Sequence, residues 1–256
     1  MMREWLYGRN PVYESLHATR RNFFNLHVAQ GVEEKGKLTE ILKLCQRKKI
    51  PIRQMRRDWF DGLGTQDHQG VALESSAYPY SSLDHIFTLA RQREEPLFIL
   101  MLDTLQDPQN LGGLLRTAEA VGVHGVCLPL RRTATVTPAV VNRSSGASEH
   151  LLITQSNLAQ AIVNLKEAGA WVIGLEKSPE AIPITQTRLD GALVVVVGSE
   201  GGGMRQLVRN SCDILIQLPM RGQVSSLNAS VAGSVVLYKV WESRGFLKDK
   251  TIDAHS

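Results

Sequence analysis

The sequence predicts an α/β protein whose main domain is a parallel sheet covered by helices on both faces, preceded by a small α/β domain. Three observations lead there. From Leu97 onward, apolar runs of strand length alternate with longer stretches of helical spacing. Those strand runs are nearly continuous in apolar residues rather than alternating, the pattern of strands buried on both faces. Three polar or glycine-rich loops, DTLQDPQN (Asp103–Asn110), GSEGGG (Gly198–Gly203) and LPMRGQVSSLNASV (Leu218–Val231), each follow a strand run, where open parallel sheets bind ligands.

Taken in order, PVYESLHA has helical spacing, FNLHVAQ reads as a strand, KLTEILKLCQRKK as an amphipathic helix, and IPIRQM and GVALES as strands. These elements predict a small domain over residues 1–75. Residues 76–96 are polar, carry Pro79 and Pro96, and read as a linker with room for one short helix. The main domain, 97–245, then runs LFILMLD into LGGLLRTAEAVG, GVCLP into TPAVVNRSSGA, and LLIT into LAQAIVNLKEAGA. It continues with WVIGLE, with ALVVVVG into GMRQLVRN, and with DILIQL into SVAGSVVLYKVW. The tail, 246–256, is expected to be disordered.

With 256 residues, 43% hydrophobic and 21% charged, the chain has globular composition and length for a sizeable core. No apolar run approaches the roughly 20 residues that span a bilayer, and MMREWLYGRN lacks a signal-peptide core. No membrane association and a cytoplasmic location are therefore expected. Cys45, Cys127 and Cys212 are scattered without a CxxC pair, which argues against a disulfide framework or a zinc cluster. The charge is uneven: residues 1–75 hold 13 Lys and Arg against 9 Asp and Glu, while the remainder holds 16 of each. Lys43, Arg47, Lys48, Lys49, Arg53, Arg56 and Arg57 crowd into Ile41–Arg57 with no acid among them. Such a run suits a polyphosphate partner, which releases counterions when neutralised, or simply a solvated face.

Several chemistries are excluded. GSEGGG is not GxGxxG, no GK[ST] follows it, and GxSxG and HExxH are absent. None of the three loops holds a histidine, so no metal site is expected. They and the helix starts beside them offer Asn110, Arg116, Glu200, Ser226 and Asn228, groups that position a substrate and bind anions better than they shuttle protons. Three of them also have a plainer reading. Asn110, before LGGLLRTAEA, suits a helix N-cap, and so does Ser226. Glu200 suits a first-turn acid. Asn228, placed inside the last helix, has no such explanation. Trp59 and Phe60 read either as a base-stacking pair or as residues buried beneath the small sheet.

Together DPQNLGGLLRTAEAVG, GSEGGGM and LPMRGQVSSLNASVA resemble the three signature motifs of the SpoU (TrmH) branch of the SPOUT RNA 2′-O-ribose methyltransferases. LYGRNPVYESL and HQGVAL resemble the ends of the substrate-binding domain of the RlmB-type branch, which modifies a guanosine of 23S ribosomal RNA. The likeness runs from Leu6 to Arg244.

That resemblance implies a SPOUT α/β-knot. The C-terminal segment would thread through a loop as a trefoil knot, and the small domain would be like ribosomal protein L30e. It implies S-adenosylmethionine held in a bent form by loops at Gly198, Leu218 and Leu227, with Met220 and Gly222 beside them, and a homodimer formed through the knotted domain. In such a knot Gly222, Ser225, Ser226, Ala229, Ala232 and Gly233 would leave room for close approach. Arg116 takes the catalytic arginine position, with Asn110, Glu200, Ser226 and Asn228 around it, Glu200 as its orienting partner. Arg9, Lys48, Lys49 and Arg143 are the expected RNA contacts, and ribosomal RNA is the expected partner. Ser199 departs from the usual GNEG. Transfer RNA as substrate, or a non-catalytic RNA-binding or ribosome-assembly factor on the same fold, stays open at this point.

Overall fold

Three of the first four strands each bury one leucine completely, and the four pair into a small sheet. The computed structural model describes residues 2–224 and 226–246; Ser225 and 247–256, with the disorder expected of the tail, lie outside the described residues. β1 (Arg3–Tyr7), β2 (Phe23–Ala29), β3 (Ile52–Met55) and β4 (Val71–Ser76) take the order β1-β4-β2-β3, with β4 antiparallel to its neighbours and β2 parallel to β3. Register sets Leu6 and Leu26 on either side of Leu73, all three fully buried. α1 (Arg9–Ala18) packs on β1, β4 and α2 (Lys37–Arg47). The latter buries Leu38, Ile41, Leu44 and Cys45 along one stripe and leaves Lys43 and Arg47 exposed, as a 3.6-residue period requires. α3 (Arg57–Asp61) buries Phe60 fully, while Trp59 lies half-buried against Trp5 and His27, with ring centroids 4.9 and 4.5 Å away.

In the second compact unit, α4 (Leu83–Arg93) precedes β5 (Phe98–Leu102), α5 (Pro108–Ala120) and β6 (Gly125–Pro129). After α6 (Pro138–Arg143), which lies in the first unit, come β7 (Ile153–Ser156), α7 (Leu158–Glu167), β8 (Trp171–Leu175), β9 (Ile182–Pro183) and β10 (Leu193–Val197). The chain closes with α8 (Gln206–Ser211), β11 (Ile214–Gln217) and α9 (Ala229–Ser243). The sheet order is β7-β6-β5-β10-β8-β11-β9, with every neighbouring pair parallel. β5 and β10 adjoin, and all their residues are buried, so nearly continuous apolar runs are what this position demands. α9 returns onto α5 and β10, the back-folding that an α/β-knot requires. A Cβ on Gly233 would stand 2.7 Å from Leu114 and 3.2 Å from Val197, so glycine is what lets this helix lie so close.

Two boundaries differ from those expected. Residues 76–96 are not simply a linker, because α4 sends Ile86 and Ala90 into the core of the large sheet beside Leu97, Ile99 and Met101. The first unit, moreover, comprises 1–79 together with 135–150, so a piece of the expected main domain belongs with the N-terminal sheet. One of its ties is electrostatic. The fully buried Arg21 guanidinium donates from Nε and Nη2 to Glu149 at 2.8 and 2.9 Å, and from Nη1 to Glu4 at 2.9 Å. A buried cation needs such partners, and the one supplied from the later segment is itself 1% exposed.

Burial pushes the Cys45, Cys127 and Cys212 thiols up to about 12, so all three are inert. No described helix is long and apolar enough to cross a membrane.

Candidate functional site

Parallel strands end on one edge of the large sheet, and there the loops after β8, β10 and β11 enclose a cavity of about 570 Å³. Its walls include Leu175–Lys177, Val197–Met204, Leu218, Met220, Ser226 and Leu227. That volume, with a lining of mixed apolar and polar groups, suits a small ligand.

The loop after β10 is shaped by its glycines. A Cβ on Gly198 would fall 2.3 Å from the Gly203 carbonyl carbon and 2.5 Å from Met204 N, so only glycine fits. Ser199 and Gly203 exchange two backbone hydrogen bonds of 3.0 Å, and Gly201 and Gly203 take φ of +77° and +62° to close the turn. Arg205, just beyond, is anchored to the buried Asp103 at the end of β5: its N and Nε both donate to that carboxylate at 2.7 Å. Neither Asp103 nor Arg205 was singled out by sequence; their pairing spans 102 positions.

Of the expected cofactor residues, Gly198, Leu218, Met220 and Leu227 line this cavity, and so do Glu200 and Ser226. Gly222 does not: it is exposed, and a Cβ there would meet nothing within 4 Å. The reading that it leaves room for close approach is corrected, because the chain simply turns through solvent at that point. Ala229 and Ala232 do line the cavity; Ser225 lies outside the described residues.

Two helix caps are exchanged relative to expectation. The N-cap of α5 is Asp107, whose carboxylate accepts from Gln109 N and Asn110 N, with Pro108 in the first turn; Asn110 sits inside the helix and is buried. Asn228, expected inside the last helix, is instead the N-cap of α9. Its Oδ1 accepts from Ser230 N at 2.9 Å, from Val231 N at 3.4 Å and from Ser230 Oγ at 2.7 Å. Its Nδ2 donates to Glu200 Oε2 at 3.2 Å. Glu200 lies in a turn rather than a first helical turn, so its hold comes from this amide. Arg116 is exposed on α5, two helical turns past Pro108.

The expected RNA contacts share the first unit. Lys48 and Lys49 are exposed at the end of α2, Arg9 is half-buried at the start of α1, and Arg143 is exposed in the last turn of α6. Arg53, Arg56 and Arg57 are exposed along and beyond β3, an edge strand. Arg131 and Arg132, just before the 135–150 segment, belong to the other unit. Among the described residues no group of three or more His, Cys, Asp or Glu is placed to hold a metal ion.

Residues 97–238 match the SpoU rRNA Methylase family, and residues 5–81 match the family described as RNA 2′-O ribose methyltransferase substrate binding. A Bacillus subtilis protein, YacO, assigned to the TrmH family of tRNA/rRNA methyltransferases, is 39% identical over 244 residues, covering 94% of this chain and 96% of its own. The SpoU methyltransferase AviRb from Streptomyces viridochromogenes, solved with AdoMet, has a TM-score of 0.78 at 21% identity, over 96% of this chain and 92% of its own. An AdoMet-bound rRNA methyltransferase from Sinorhizobium meliloti has a TM-score of 0.76 at 18% identity, over 96% and 88%. At these identities the two structures establish a shared fold.

Proposed function

We propose, because this chain belongs to the SpoU rRNA methylase family, that it methylates the ribose 2′-hydroxyl of a guanosine in 23S ribosomal RNA, in the cytoplasm, with S-adenosylmethionine as donor. Membership makes it an RNA 2′-O-methyltransferase. What carries the ribosomal assignment is the first unit: residues 5–81 match a substrate-binding family, and residues 1–75 hold the whole net charge of +4. Cations of that unit that reach solvent, Lys48, Lys49, Arg9 and Arg143 among them, are suited to phosphodiester strands.

The cavity fits the cofactor. Glycine at 198 lets the turn after β10 close on its own backbone beside the cavity, and Leu218, Met220 and Leu227 supply apolar walls for a purine. S-adenosylmethionine supplies a methyl group already activated on sulfur, so the protein's task is alignment and relief of one proton. A guanidinium stays protonated, and Arg116 is therefore a poor base. We assign it to the phosphate beside the target ribose, where it fixes the hydroxyl in line and stabilises the developing alkoxide while the clamped phosphate oxygen takes up the hydroxyl proton. Asn228 holds Glu200 at the cavity wall, Ser226 offers a hydroxyl on the same wall, and Asn110 lies buried in the first turn of α5, which Asp107 caps.

A homodimer belongs to this proposal as well. Val231, Val235 and Tyr238, spaced i, i+4 and i+7 on α9, are 49, 40 and 47% exposed, an apolar stripe suited to a second copy of the chain. Sedimentation should give twice the monomer mass.

The test of function is transfer of labelled methyl to separate pools of unmodified ribosomal and transfer RNA, followed by digestion to nucleosides. Label in 2′-O-methylguanosine from ribosomal RNA alone is the expected result. Label in transfer RNA would overturn the substrate, and RNA binding without any transfer would favour a non-catalytic assembly factor.

A further inference from the structure

One wall of the cavity is marked by no sequence motif. β8 ends at Leu175, and the next residue, Glu176, lines the cavity from the gap between β10 and β11. It is held twice. Its backbone N donates to Ile216 O at 3.0 Å, and its Oε1 accepts from Arg209 Nε at 2.8 Å. Arg209 is paired in turn with Glu180, and the two carboxylates raise its already high pKa further. The other oxygen of Glu176, Oε2, carries no hydrogen bond from the described residues. It faces the glycine turn, 3.6 Å from where a Cβ on Gly203 would stand. The Glu176 side chain is 19% exposed. A carboxylate oxygen that opens on the cavity, with lone pairs unused by the described residues, is placed to accept from a donor on the ligand.

The chemistry of that donor can be narrowed. Arg209, shared between Glu176 and Glu180, offsets the charge of Glu176 only in part, and the oxygen left open is a charge-strengthened acceptor suited to hydroxyl donors. An acidic side chain near the carboxyl end of a strand in an open parallel sheet is also a standing solution for reading ribose hydroxyls. We propose that Glu176, buttressed by Arg209, accepts hydrogen bonds from the ribose 2′- and 3′-hydroxyls of the bound cofactor and so selects a nucleoside with an intact diol. This rests on the S-adenosylmethionine reading above.

Calorimetry with S-adenosylhomocysteine and its 2′-deoxy and 3′-deoxy counterparts tests it without turnover. The unaltered protein should bind at least one deoxy compound about tenfold or more weakly than the parent, the worth of a hydrogen bond to a charged group. Glu176→Ala, checked for folding by thermal melting, should lose about as much affinity for the parent and no longer distinguish the deoxy compound. Equal binding of parent and deoxy compounds by the unaltered protein would overturn the inference, and so would a folded Glu176→Ala protein that still discriminates. Failure of the unaltered protein to bind S-adenosylhomocysteine at all would overturn the cofactor reading, and this inference with it.

Discussion

Replacing Gly198 with alanine puts a methyl group where the chain has only backbone. The added carbon would stand 2.3 Å from the carbonyl carbon of Gly203, 2.5 Å from its oxygen and 2.5 Å from Met204 N, none of which can rotate away. Ordinary contact needs about 3.4 Å, so the far side of the turn must retreat by about 1 Å. The two 3.0 Å hydrogen bonds between Ser199 and Gly203 cannot follow that movement, and at about 1 kcal/mol each their loss costs about 2 kcal/mol. If the cavity forms only with the turn closed, the same energy appears as about a 30-fold rise in the dissociation constant for S-adenosylhomocysteine. Calorimetry measures it directly. Gly222→Ala is the control, because a methyl there meets nothing within 4 Å and should leave affinity within about twofold. A Gly198→Ala protein that binds as tightly as the unaltered one would refute the claim that this turn shapes the site.

Other outcomes follow from the same geometry. Arg116→Ala should lose methyl transfer by at least about 100-fold with an unchanged melting temperature, since the side chain is exposed; single-turnover assays and melting curves check both. Glu149→Ala strips Arg21 of two charge-assisted hydrogen bonds and should cost about 3 kcal/mol in urea unfolding. Burial, reinforced by Arg53, holds the His27 imidazolium below its usual 6.5, so the unfolded chain takes up a proton there that the folded chain refuses. The stability so contributed is present above 6.5 and is lost as pH falls from there toward the folded value. Melting temperatures should decline on acidification through that window, and His27→Phe should flatten the decline. Asn228→Asp should melt like the unaltered protein, because aspartate caps as well as asparagine, while methyl transfer falls about tenfold from loss of the donor to Glu200.

The elements that could be read from sequence are those whose burial is set locally. β5 and β10 were plain in LFILMLD and ALVVVVG because a central parallel strand must be apolar on both faces, and α2 was plain because its polar and apolar residues separate at helical spacing. What escaped depends on pairing across long separations. Residues 135–150 have the same local pattern whichever sheet they join, and their assignment rests on long-range contacts such as Glu149 meeting Arg21, 128 positions away. The place of β8 between β10 and β11 is likewise a fact of sheet order, so nothing near Glu176 in the sequence announces that it borders the cavity.

The exchanged caps show why a residue type alone misleads. In DPQN two residues can cap, and the proline decides between them: its ring favours the first turn of a helix, which makes the preceding Asp107 the cap and carries Asn110 inside. LNASV has no proline, and alanine and serine after Asn228 are tolerated on either side of a helix start, so the boundary was set by the loop that must pass the cavity. The capping role does not compete with a functional one. Once Oδ1 of Asn228 accepts from Ser230 N and Val231 N, the direction of its amide is fixed, and Nδ2 is carried to Glu200. The start of α9 and the orientation of that carboxylate are therefore a single geometric arrangement, which aspartate reproduces in its first half and not in its second.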